Sequence, residues 1–169
     1  MTNKGLDLIK KYEGCRLEAY LCPSGVPTIG WGATYYKNGT KVKMGDKITQ
    51  QEADELFKWM VENKLEMQVK LLLGEELNAM LPELSRDALV SFAYNCGIGA
   101  LGKSTLLKKI RANKNDFVGI KKEFDKWVKS NGKVLSGLVK RRNAEFDLYL
   151  EGICSQYTKT ELVKMILCI

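Results

Sequence analysis

No histidine occurs among the 169 residues. Its absence removes Ser-His and Cys-His nucleophile pairs and most zinc sites. Any chemistry must therefore run on carboxylates, hydroxyls, thiols, lysines and backbone groups. Long apolar runs are missing too: the longest, Met165 to Ile169, is far too short to span a bilayer. The opening MTNKGLDLIKKYEG is polar and broken, so neither a secretory leader nor a membrane anchor is expected. The expectation is synthesis in the cytoplasm, with work elsewhere needing another route out. Proline is scarce, at three residues, and no internal repeat or low-complexity linker divides the chain, so one domain is expected. Five cysteines (Cys15, Cys22, Cys96, Cys154, Cys168) cannot all pair internally and lack C-x-x-C spacing. Most are expected as small buried hydrophobes in a reducing compartment.

What is present suffices for a core. Apolar residues make up 45% and charged residues 28%, which excludes gross disorder. Lys and Arg number 27 against 20 Asp and Glu, a formal charge of +7, and residues 101–150 hold 13 basic against 5 acidic side chains. Such a region suits an acidic partner (nucleic acid, anionic lipid or anionic cell wall) or is a solvated face. The basic residues follow no nucleic-acid recognition motif, which disfavours the first of these.

Leu6, Ile9 and Tyr12 recur at helical spacing and Gly14 offers a stop, so a first helix should end near Glu13. From Arg16 to Met44 the chain turns to glycine, proline, β-branched and aromatic residues. Asn38-Gly39, between Thr34-Tyr35-Tyr36 and Thr40-Lys41-Val42, signals a hairpin in a small antiparallel sheet. Thr49 and Glu52 form a capping box. A stripe of Ala53, Phe57, Met60, Val61, Leu65, Val69 and Leu72 then runs to Leu73, with Gly74 closing the helix. Beyond it, helices are expected over about 75–81, 84–95, 104–113, 116–128 and 137–151. Breaks fall at Pro82, Gly97-Ile98-Gly99 and Asn131-Gly132, and a last helix is expected near 160–168.

Glu13 sits where the first helix ends. The partial negative charge there disfavours a carboxylate, and Tyr12 or Trp31 would add desolvation. A carboxyl kept protonated near neutral pH suits general acid catalysis of glycosidic cleavage. The plainer reading is an exposed helix-end glutamate. Cys22 follows nine residues later and Thr28 six after that; alone, each reads as a buried thiol and a strand residue.

Together these residues give E-x8-[D/C]-x5-T followed by I-G-W-G, which resembles the phage-type lysozymes of glycoside hydrolase family 24, in particular the soluble lambdoid-phage endolysins. Three further stretches match in order: Ser91-Phe92-Ala93-Tyr94-Asn95-Cys96-Gly97-Ile98-Gly99, Ser104-Thr105-Leu106-Leu107, and Gly137-Leu138-Val139-Lys140-Arg141-Arg142 continuing to Glu145, Leu148 and Leu150. The match covers about residues 3–152; the tail, 153–169, does not resemble the family's usual end.

The resemblance implies a single lysozyme-like α+β domain. Its β lobe (15–48) and helical lobe (1–14 and 75–152) would be joined by a long helix (49–73), with a substrate cleft between them. It implies hydrolysis of the β-1,4 link between N-acetylmuramic acid and N-acetylglucosamine in peptidoglycan. Glu13 would be the proton donor, and Thr28 would help hold the attacking water. Tyr94, Gly97 and Ser104 would line or back the cleft as substrate-binding positions. Arg141 and Arg142 look like a pair whose charge approaches the catalytic glutamate; alternatively they sit on a surface helix, meeting solvent or Glu145.

Cys22 departs from the family, whose usual residue there is aspartate. A thiolate could act as base for water with inversion, could attack the sugar directly, or the thiol could be inert. The departure also makes a catalytically silent wall-binding module of the same fold conceivable. No metal or organic cofactor is expected. The implied protein is a monomer without stable membrane anchoring or a nucleic-acid partner. It would be made in the host cytoplasm and would reach the periplasmic wall when a separate holin opens the membrane.

Overall fold

The computed structural model describes residues 1–161. The helix expected near 160–168 lies almost wholly outside them, as does Cys168. Helix α1 (Asn3–Tyr12) is capped by the Thr2 hydroxyl, which accepts the Gly5 N–H, and it buries Leu6 and Ile9 before ending at Glu13. Strands β1 (Arg16–Leu21) and β2 (Pro27–Gly30) form an antiparallel pair with Tyr20 opposite Thr28. The Asn38-Gly39 turn closes a narrower hairpin, where the Val42 N–H donates to the Thr34 carbonyl at 3.0 Å and the Tyr36 N–H to that of Thr40 at 2.9 Å.

Helix α2 (Gln50–Met60) opens with the expected capping box between Thr49 and Glu52. The chain widens into a π-helical turn over Val61–Leu65 and continues as α3 (Glu66–Met80). Within α3, Gly74 has φ 77° and ψ 166°, a conformation that side chains with a Cβ scarcely reach. The connecting helix therefore breaks at the glycine, as its position predicts. Helices α4 (Glu83–Cys96), α5 (Ile98–Lys103), α6 (Thr105–Ala112), α7 (Phe117–Asp125) and α8 (Ser136–Cys154) follow.

Two expectations need correction. The stretch after Gly97 is not merely a break, because α5 occupies it. The region beyond residue 75 is also not purely helical. The helix expected over 116–128 stops at Asp125, and Asn131-Gly132 turns a short hairpin of β3 (Lys129–Ser130) and β4 (Lys133–Val134). Both turn residues have positive φ, 49° and 77°, which matches the twist of paired strands.

Helix α4 is buried on most of its sides, polar Ser85, Asp87 and Ser91 included, and its Ala88, Leu89, Val90 and Phe92 are fully buried, which makes it the axis of the helical lobe. Around it pack Leu6 and Ile9 of α1, Leu106 and Ile110 of α6, Phe124 of α7, and Phe146 and Tyr149 of α8. A separate cluster of Ala19, Ile29, Ala33, Val42 and Leu56 holds the β region. Leu56 and Phe57 belong to different clusters, so α2 serves both lobes. Among the described residues no helix is long and apolar enough to cross a membrane.

Candidate active site

Glu13 caps the C-terminal end of α1, its side chain 27% exposed, and meets Nη1 of Arg141 at 2.6 Å. Arg141 is itself buried. Its Nε donates to Oε1 of Glu145 at 3.1 Å and its Nη2 to the Ser91 carbonyl at 3.2 Å. Glu145 is fully buried and also accepts the Ser91 hydroxyl at 2.8 Å. Burial pushes the Glu145 carboxyl up, against the opposing pull of Arg142 and Arg141. Arg142 places Nε 3.1 Å from the other Glu145 oxygen and donates to Asn95 Oδ1 at 2.7 Å and Cys96 Sγ at 3.1 Å. Its guanidinium lies 4.9 Å from the centroid of the Phe92 ring.

Arg141 thus reaches Glu13 and Glu145 together. Arg142 instead fastens α8 to the end of α4, and among the described residues it makes no ion pair with Glu13. The surface-helix alternative fails on exposure, because both arginines are buried, while the Arg141–Glu145 contact it named is present. Glu145 is the residue whose importance was missed. Its spacing, three and four residues after the arginines and beside Phe146, Leu148 and Tyr149, was the available signal.

Glu13 and Arg141, with Tyr12, Asn95 and Leu135 to Leu138, line an open groove of about 350 Å³. Tyr94 is half-buried, and its hydroxyl donates to the Trp31 carbonyl, tying α4 to the turn after β2. Burial, and next the charge of Glu13, pushes its phenol up. Gly97 is exposed at the α4–α5 junction with φ 91°. Ser104 is buried; its hydroxyl donates to the Leu101 carbonyl at 2.7 Å and accepts the Leu107 N–H at 3.0 Å as the cap of α6. The hydroxyls of Ser104 and Tyr94 are thus both engaged within the chain.

On the β side, Cys22 begins the turn between β1 and β2. Its N–H donates to the Val26 carbonyl at 3.0 Å, and the Cys22 carbonyl accepts the Gly25 N–H at 2.8 Å. The backbone N–H groups of Val26 and Ser24, ahead of the hydroxyls of Thr28 and Ser24, hold the thiol below its ordinary range. Thr28 is buried in β2, and its hydroxyl donates to the Val26 carbonyl at 2.9 Å. The structure therefore groups Cys22 with Thr28, and Glu13 with Arg141 and Glu145. Among the described residues no cluster of three or more His, Cys, Asp or Glu could hold a metal ion.

A family model described as phage lysozyme matches residues 10–145. The chain belongs to the phage lysozyme family. It is 41% identical over 153 residues to the endolysin of Acyrthosiphon pisum secondary endosymbiont phage 1, covering 88% of this chain and 97% of that protein. Identity to the endolysin of Bacillus phage B103 is 40% over 157 residues, 90% of this chain but only 54% of that longer protein. Among solved structures, the endolysin from Escherichia coli O157:H7 phage FAHEc1 superposes with a TM-score of 0.72 at 38% identity, covering 89% of this chain and 92% of that one. A phage P22 lysozyme variant gives 0.72 at 30% identity, covering 89% and 97%. The α+β fold is that of the phage lysozymes, and the chain is a lysozyme-type glycoside hydrolase.

Proposed function

We propose that this phage lysozyme is an endolysin that hydrolyses the β-1,4 link between N-acetylmuramic acid and N-acetylglucosamine in peptidoglycan. Glu13 is the general acid, Cys22 the general base and Thr28 the residue that holds the water. The observation that carries the reading is Glu13 at the end of α1, facing an open groove and backed by the buried Arg141–Glu145 pair.

In the proposed step the Glu13 carboxyl gives its proton to the glycosidic oxygen as the bond from that oxygen to C1 of the sugar breaks. Cys22, as thiolate, takes a proton from water whose oxygen forms the new bond to C1. The thiolate is supported by the N–H donors of Val26 and Ser24 rather than by a cation. Thr28 directs its proton to the Val26 carbonyl, and its lone pairs can accept from that water. Arg141 is available to the negative charge left on Glu13 once its proton has gone. The outcome is inversion, for which the two groups should stand roughly 6.5–9.5 Å apart.

The proposal includes synthesis in the host cytoplasm, release through a membrane opened by a separate holin, and action as a monomer on the periplasmic wall. The 13 basic against 5 acidic residues of 101–150 support attraction to anionic wall polymers. The protein should clear chloroform-treated Gram-negative cells, and Glu13→Gln should lower the rate by about 10²- to 10⁴-fold. Binding of the wild-type protein to sacculi without clearing would instead identify a silent wall-binding module.

A further inference from the structure

Lys10, Trp31 and Asp54 take no part in the proposed proton transfers, yet a single carboxylate oxygen gathers them. Oδ1 of Asp54, on α2, lies 2.8 Å from Nζ of Lys10 and accepts the indole N–H of Trp31 at 2.7 Å. The same oxygen accepts the side-chain amide of Gln50 at 3.1 Å. That amide also reaches the Cys15 sulfur at 3.7 Å. Lys10 stands one helical turn before Glu13 in α1, Cys15 stands two residues after it, and Trp31 follows Thr28 by three residues along β2 and its turn.

We propose that Asp54 is a positioning residue: through one oxygen it fixes the helix ending at Glu13 against the strand that carries Thr28. Trp31 is the shared piece. Its indole N–H is held by Asp54 from the connecting helix, and its carbonyl is held by Tyr94 from α4. Its ring meets Phe57 of α2 at 6.0 Å between centroids, with the Lys10 ammonium 5.4 Å from the Trp31 centroid. The Lys10 contact, ahead of those from Trp31 and Gln50, keeps the Asp54 carboxyl below its ordinary range, so the anchor stays charged at working pH. Both ends of the ion pair are partly exposed, 25% for Lys10 and 40% for Asp54, so its worth to global stability is small. Its effect on alignment is not bounded in that way, since a shift of about 1 Å between reacting groups can cost 10²-fold in rate.

The inference rests on the reading that Glu13 and Thr28 serve one glycosidic bond, and the test separates the two. Release of reducing ends from purified sacculi gives kcat and KM for the wild type, Asp54→Ala, Lys10→Met and their double variant. Each single change should lower kcat by about ten- to a hundredfold with KM and melting temperature little moved. The double variant should be no slower than the worse single one, because both changes break one link. Asp54→Asn keeps an acceptor for the indole and should recover part of the loss, while Asp54→Ala should shift the Trp31 fluorescence. Wild-type kcat in Asp54→Ala, additive losses in the double variant, or losses matching a loss of folded protein would each overturn the inference alone. A wild-type protein that releases no reducing ends would overturn the catalytic reading and this inference together.

Discussion

At Cys22 the backbone N–H groups of Val26 and Ser24 pull the thiol below its ordinary range, which favours the anion. In a variant keeping only this cysteine, the rate of alkylation by iodoacetamide should rise with pH to a midpoint below the ordinary thiol value of about 8.5. A midpoint at or above that value would remove the proposed stabilisation. Glu145 poses a different test. It stands between two buried guanidiniums, so Glu145→Gln leaves both without a carboxylate at 3.1 Å. Breaking one side of such a buried arrangement should cost about 3–5 kcal/mol, seen as a lowered denaturant midpoint. These two environments differ in how well the sequence foretold them. The R-R-x-x-E spacing at Arg141, Arg142 and Glu145 is local, and its burial could have been inferred from the apolar residues beside it. The donors around Cys22 exist only after the turn has folded, because they are backbone groups that no residue type announces.

Elements with strong local chemistry were legible. The Thr49–Glu52 box starts α2, Glu13 ends α1, and Gly74 breaks the connecting helix because its φ of 77° and ψ of 166° suit glycine almost alone. Gly74→Ala should destabilise the protein by about 1–3 kcal/mol. Calorimetry should then show a melting temperature lower by about 2–4 °C per kcal/mol. An unchanged melting temperature would mean the helix can re-form through this position. The elements that escaped were short and carried mixed signals. In Ile98–Lys103 two glycines, Gly99 and Gly102, sit inside the helix, and Gly102 packs with little room beside Leu72. In the 129–134 hairpin, strands of two residues are too brief for alternation to register, although Asn131-Gly132 was a hairpin signal read only as a break.

Across the whole molecule, two apolar clusters meet at α2, and the links between them join residues distant in sequence. Tyr94 with Trp31, and Lys10 with Asp54, could not be paired from spacing alone; the lobes were legible, their fastening was not. Net charge belongs to this scale too. With +7 overall and the excess in one region, clearing of whole walls should slow as salt rises and screening shortens the reach of that charge. Hydrolysis of short uncharged chitooligosaccharides should be much less sensitive, and equal sensitivity would contradict wall attraction.

The central claim is that a carboxyl and a thiol divide the work of acid and base, and a pH–rate profile tests it most directly. Only the form with the Cys22 thiol ionised and the Glu13 carboxyl protonated reacts, so Cys22 sets one limb of the profile on sacculi. Cys22→Asp should keep activity while moving that limb down toward the aspartate range of about 4, and Cys22→Ala should lose about 10²- to 10⁴-fold. An alanine variant as fast as the wild type, or a profile whose limbs both stay fixed in Cys22→Asp, would contradict the account.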